Sequence, residues 1–146
     1  MKRIRHILHP SDFSPASRAA FARAVDMAKG NAAALLLVHV LAPVTSIVAQ
    51  GYLFERSARV AGQKRLDALV ARARKVDIRA HGLLLIGVPH MEIVRAARAK
   101  GADMIVMGTH GRSGLAKVFL GSVAERVVAT APCPVLTVRR QKRMKR

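Results

Sequence analysis

Short apolar runs alternate along the chain with segments whose apolar residues recur every three or four positions. Ile4-Arg5-His6-Ile7-Leu8-His9 reads as a short strand. Ser14-Pro15 then supplies a helix N-cap and a proline at the first helical position, where a missing N–H costs nothing. Phe21, Ala24, Val25 and Ala28 follow at helical spacing, and Gly30 marks the expected C-terminal cap. Ala34 to Val40 is an apolar run broken only by His39, the pattern of a strand covered on both faces. Leu41 to Phe54 has no clear period and fits either a loop over a site or a partner contact. Glu55 to Lys75 predicts a long basic helix with Val60, Leu66, Leu69, Val70 and Ala73 as apolar positions. Leu83–Ile86 predicts a third strand. Pro89–Lys100 predicts a helix stopped by Gly101, Asp103–Met107 a fourth strand, Val123–Ala129 a last helix and Pro134–Val138 a fifth strand.

Five strands separated by helix-length crossovers imply an α/β fold: one doubly wound parallel sheet with helices on both faces and right-handed connections. No linker or repeat divides the chain, so residues 1–139 are expected to form one domain and 140–146 a basic tail. Aromatics are only 3% of residues, so the core must come from Val, Leu, Ile, Ala and Met. No apolar run reaches the length of a membrane-spanning helix. Residues Met1 to Leu8 are too short and too interrupted for a signal peptide. The single cysteine, Cys133, allows no intrachain disulfide and fits a reducing cytoplasm; flanked by Pro132 and Pro134, it reads as an inert thiol.

Charge changes the picture. Lys and Arg number 26 against 8 Asp and Glu, for a net +18. The tail from Arg139 to Arg146 holds six of these bases, so the rest of the chain still has 20 against 8, or +12. Such a surface attracts polyanions, including nucleic acid and acidic lipid. No aromatic interleaving or nucleic-acid motif accompanies it, so a merely solvated basic surface is the competing reading.

The densest chemistry lies between Gly108 and Ser122. The glycines fall as Gly108-x2-Gly111-x9-Gly121, with Ser122 directly behind, a strand before and a helix after. With glycine at about 7% of residues, three at fixed offsets match by chance at roughly 0.0003 per start position, so the spacing is informative. Residues without a bulky Cβ let backbone N–H groups approach an anion, and a helix start adds unpaired donors and partial positive charge. Together these describe a phosphate site, of neither the Walker nor the dinucleotide spacing. Arg112 and Lys117 lie inside the loop; Arg112 can offer its guanidinium or only its N–H, and Lys117 reads as solvated. Ser122 and Glu125 also form the Ser-x-x-Glu capping-box pattern, and both roles can hold together. Pro10-Ser11-Asp12 follows the first strand and Val40-Leu41 ends the second. With Gly108–Gly114 they fall at carboxyl ends of strands, where such sheets bind ligands. Asp12 there suits ribose hydroxyls, or else an Asx-turn. The six histidines have no metal spacing, and His39 reads as a packed strand residue. No general base is evident beside the loop, so hydrolysis is expected to be slow at most.

Together these segments resemble the universal stress protein family. Ile7 to Ser14 is similar to its opening strand and turn, and Leu37-Val38-His39-Val40 to its second strand. Gly87-Val88-Pro89-His90 with Glu92-Ile93-Val94 is similar to its third-helix entry. Met107 to Gly111 and Gly121-Ser122-Val123 resemble its signature, and Pro132 to Leu136 its close. The resemblance spans residues 3–139. It implies sheet order 3-2-1-4-5 of the adenine-nucleotide alpha-hydrolase-like kind, and a homodimer paired through the last strand, 134–138. It also implies the family's ATP-binding branch, with ATP, ADP or AMP as ligand and Mg²⁺ or Mn²⁺ bridging the phosphates. Carried over residue by residue, Asp12 would hold the ribose. The Val40 backbone would meet adenine beside Pro10, and Gly108 would lie under the ribose. The N–H groups of Gly111, Arg112, Ser113, Gly121, Ser122 and Val123 would hold the phosphates. The implied function is a cytoplasmic nucleotide-dependent stress-response switch with an unknown downstream protein. The alternatives are a slow ATPase or self-phosphorylating protein, and a nucleic-acid-binding module using the basic surface and tail.

Overall fold

The computed structural model describes residues 2–43, 49–110 and 120–140, with backbone alone for 49–54. Within these residues nine elements follow in order: β1 His6–Pro10, α1 Pro15–Asn31, β2 Ala34–Leu41, α2 Ala49–Lys75, β3 Ala80–Ile86, α3 Pro89–Ala99, β4 Met104–Gly108, α4 Ser122–Thr130 and β5 Val135–Val138. All strand pairs are parallel, as the patterning predicted, and the order is β3-β2-β1-β4-β5, as the family resemblance implied. The order reverses at β1, where the chain leaves toward β2 on one side and returns as β4 on the other.

The apolar runs divide between two cores because side chains alternate across each strand. Ile7, Leu35, Leu37 and Val106 face Phe21 and Ala24 of α1 and Leu66 and Ala73 of α2. Leu8, Val38, Ile105 and Met107 face Ile93 and Ala97 of α3 and Ala124 and Val127 of α4. Helices α1 and α2 therefore form one outer layer, and α3 and α4 the other.

Three expectations are corrected. Gly30 does not cap α1; the helix runs on to Asn31, and Ala32 takes the left-handed conformation at φ 52°. The Ala32 N–H bonds the carbonyls of Ala28 and Lys29, and Ala34 N–H meets Arg5 C=O at 2.8 Å. The start of β2 thus sets the helix end, overriding the local preference for glycine. Second, α2 begins at Ala49, inside the segment without a clear period. Third, β3 starts at Ala80, three residues before the apolar run, because the Leu35–Ala80 register extends the ladder through exposed His81 and Gly82.

Candidate functional site

The site begins where β1 runs out. Its ladder with β2 ends at Pro10–Val38, and its ladder with β4 ends at Leu8–Ile105. In a parallel strand the N–H and C=O of one residue point to the same neighbour, with period two. Ala34 donates to Arg5 and Val38 accepts from Ser11, whereas Leu35 donates to Arg79 and Leu41 accepts from Gly87. Even-numbered residues of β2 therefore face β1, and Val40 directs its backbone polar groups past the last residue of β1. On the other side, Ile105 and Thr109 donate to Pro134 and Val138 at 3.0 Å, which turns Gly108 toward the same gap.

Gly108 is required by packing as well. A Cβ there would stand 2.9 Å from the carbonyl carbon of Ala16, so the first turn of α1 fills the space a side chain would need.

Asp12 sits on the turn that follows β1. Its Oδ1 accepts the Ser14 N–H at 2.9 Å and the Ser17 hydroxyl at 2.7 Å, and its own N–H reaches Ser17 Oγ at 3.3 Å. Ser14 caps α1 as expected, its Oγ accepting the Ser17 N–H at 3.2 Å. The Asx-turn reading of Asp12 is therefore realised, and it orients the carboxylate at the cavity wall. Phe13 occupies left-handed space at φ 63°, a conformation costing roughly 1–2 kcal/mol for an L-residue. It is held by its N–H to Ser11 Oγ at 3.1 Å, its ring 4.5 Å from that of His39, and the Arg65 guanidinium 5.1 Å above it. His39 Nδ1–H donates to Ser11 C=O at 2.7 Å, the packed role expected of it.

Gly121 is the N-cap of α4, and its N–H donates to Thr109 C=O at 2.6 Å. That bond ties the end of β4 to the start of α4. It also moves the helix start by one residue: Ser122 becomes the first helical residue, and no side chain of the described residues caps α4. The Ser122–Glu125 capping box is not formed, because a first-turn hydroxyl cannot bend back to the N–H that an N-cap hydroxyl reaches. Ser122 is left exposed.

These pieces enclose a cavity of about 280 Å³. Pro10, Asp12, Val40, Gly108, Gly121, Ser122 and Val123, all singled out from sequence, line it together. Gly111, Arg112, Ser113 and Lys117 lie outside the described residues. Sequence reasoning missed Ser17, Ile93 and Thr109, which line the cavity too, and gave Pro89 and His110 no part in it. Ser17 was legible in principle, since Asp-x-Ser-x-x-Ser places the Ser14 N–H and the Ser17 hydroxyl within reach of the carboxylate. Ile93 was not, because its position depends on how α3 crosses the sheet. Pro10, Val38, Val40, Pro89, Ile93 and Met107 supply an apolar lining; Asp12, Ser17, Thr109, His110 and Ser122 supply a polar one. His110 Nδ1 lies 3.0 Å from Thr109 Oγ1.

Two further groups flank the gap or the sheet. His9 is fully buried, and its Nδ1 lies 2.8 Å from Val106 C=O. A carbonyl only accepts, so Nδ1 carries the proton and Nε2 is an acceptor with no partner among the described residues. Burial lowers the His9 pKa to about 4, against weaker raising effects of the Val106 bond and the Asp12 charge. Cys133 is half-buried; burial first and the Asp103 charge second push its thiol pKa up, which suits an inert thiol.

Comparison with known proteins gives a consistent picture. The sequence model of the universal stress protein family matches residues 3–139. Universal stress protein MJ0531 of Methanocaldococcus jannaschii is 38% identical over 143 residues, covering 95% of this chain and 84% of the relative. The solved structure of MJ0577 from the same organism superposes with a TM-score of 0.89 at 27% identity, over 97% of this chain and 99% of that one. A universal stress protein solved in complex with cAMP superposes with a TM-score of 0.74 at 25% identity, over 96% and 100% of the two chains.

Proposed function

The chain belongs to the universal stress protein family, and from that premise we propose that the cavity beyond β1 binds an adenine nucleotide, ATP foremost, and that the protein acts as a nucleotide-dependent switch in a stress response. The observation that carries the reading is that one cavity is lined by a carboxylate, two strand ends whose backbone groups point into a gap, and a helix N-terminus. An adenine edge offers one donor and adjacent acceptors, which suits the N–H and C=O of Val40, with Pro10 and Ile93 against the ring. Asp12, steadied by Ser14 and Ser17, takes the ribose hydroxyls, and Gly108 lies under the sugar. The phosphates meet the first-turn N–H groups of Ser122 and Val123, which helix geometry leaves unpaired, together with those of Gly111, Arg112 and Ser113. Gly121 contributes shape, since its N–H is engaged by Thr109. The cAMP complex of a structural neighbour supports an adenine ligand.

A divalent ion, Mg²⁺ or Mn²⁺, would neutralise phosphate charge and would be held mainly by the nucleotide. Among the described residues no group of three His, Cys, Asp or Glu converges on a metal position. Turnover is expected below about one per second, the low end of enzyme rates. The cytoplasm is the proposed working compartment. A homodimer through β5, residues 135–138, would cover one of the two edges of the sheet.

The test is to denature freshly purified protein, identify any released nucleotide by mass, and titrate ATP with Mg²⁺ by calorimetry against Gly121→Val. Nucleotide retained by the wild type and lost by the variant supports the reading. An absence of both nucleotide and binding heat overturns it.

A further inference from the structure

The four helices share their charge unequally between the two layers. The α1–α2 layer carries ten Lys and Arg against three Asp and Glu (Asp26, Glu55 and Asp67). The α3–α4 layer carries three bases, Arg95, Arg98 and Arg126, against Glu92 and Glu125. The first layer is thus +7 and the second +1, although the two share one sheet. All ten bases of the first layer are exposed.

Four of the ten are held in place. Arg65 and Arg72 lie 5.1 and 5.3 Å from the ring centroids of Phe13 and Phe21, Arg74 Nε donates to Ala80 C=O at 3.0 Å, and Arg59 pairs with Glu55 at 3.6 Å. A guanidinium over a ring uses its face and keeps in-plane donors for an anion. The remaining six have no ion-pair partner among the described residues. The seven bases of α2 run from Arg56 to Lys75, a span of about 29 Å at 1.5 Å per residue, close to the roughly 34 Å of one duplex turn.

We propose that the solvent face of the α1–α2 layer binds duplex DNA through its phosphates, without reading bases. Charge complementarity selects a polyanion, and the composition of the face selects among polyanions. A membrane-surface helix needs an apolar stripe, whereas along α1 and the described side chains of α2, from Glu55 to Lys75, Val60 is the one exposed large apolar residue. Single strands need open aromatic platforms, whereas Phe13 and Phe21 are covered by arginines. The surface lies outside the nucleotide cavity and does not depend on it.

Fluorescence anisotropy of the full chain with a labelled 24-base-pair duplex, from about 50 to 200 mM salt, tests this. The expected slope of log K against log salt is about −4 or steeper, the value for four or more phosphate contacts. Arg23→Glu with Lys64→Glu is expected to weaken binding at least tenfold at low salt. Arg98→Glu with Arg126→Glu, which changes net charge equally on the other layer, should weaken it less than threefold. Circular dichroism of each variant checks folding. Equal losses from both pairs, no binding at low salt, binding abolished by removing residues 140–146 alone, or preference for phosphatidylserine vesicles over DNA would each overturn the proposal.

Discussion

Lowering the pH from 7 to 5 should destabilise this protein through one residue, His9. Its imidazole is fully buried, donates from Nδ1 to Val106 C=O, and among the described residues has no acceptor for a second proton at Nε2. The folded pKa is lowered to about 4 from an ordinary 6.5, chiefly by burial. The sign follows from proton uptake. Between these values the unfolded chain binds a proton that the folded chain refuses, so stability is full above pH 6.5 and falls as pH drops toward 4. At pH 5 the unfolded histidine is nearly all charged and the folded one roughly a tenth charged, which amounts to a loss of about 2 kcal/mol relative to pH 7. Asp103 also favours the native state at higher pH, because the Arg5 N–H above all lowers its pKa. Its effect falls below its ordinary value of 3.8 and so outside this window. The assay is urea unfolding at pH 7, 6 and 5 for the wild type and His9→Asn, whose amide nitrogen takes the place of Nδ1 and can still donate to Val106 but does not titrate. The variant is expected to start less stable at pH 7 and then lose about 2 kcal/mol less than the wild type on reaching pH 5. Parallel curves for the two proteins would refute the reasoning.

Gly108→Val should cost at least ~2 kcal/mol in urea unfolding, because its Cβ would meet Ala16 backbone at 2.9 Å and neither strand nor helix can yield cheaply. A stability change under ~0.5 kcal/mol would show that the strand end moves aside. Ala32→Gly should stabilise by about 1 kcal/mol, since it relieves a left-handed alanine, and Gly30→Ala should add a similar amount inside the helix, where a Cβ meets nothing within 4 Å. Thermal melts of the two variants and their combination check this, with additive gains expected. Ser17→Ala removes the hydroxyl that donates to Asp12 Oδ1 at 2.7 Å, and is expected to weaken ATP binding about 5- to 10-fold by calorimetry while unfolding shifts by ~1 kcal/mol. Unchanged affinity would detach Asp12 from the ligand.

Local patterning determined the elements and their order. The valine- and leucine-rich runs, Ser14-Pro15 and the glycine spacing are short-range features, and short-range chemistry decides whether a segment is strand, helix or turn. From them came the parallel sheet and the small set of strand ends where a ligand can sit. Boundaries were another matter. Ala32 ends α1 instead of Gly30, and β3 reaches back to Ala80, because a ladder is fixed by the partner strand and a helix end by where the next strand must enter. Gly121 displaced Ser122 from the cap of α4 because Thr109, thirteen residues from Ser122 in sequence, holds the Gly121 N–H. Which backbone groups face the gap was likewise invisible in the sequence: the orientation of Val40 and Gly108 follows from the phase of two ladders and the early end of β1. The net charge could be counted from composition and the basic character of α2 read from its own segment, yet the joint basic face of α1 and α2 was a property of neither alone. It arose when right-handed crossovers placed those two helices on one face and α3 and α4 on the other, since connection handedness and strand order act only once the whole sheet is assembled.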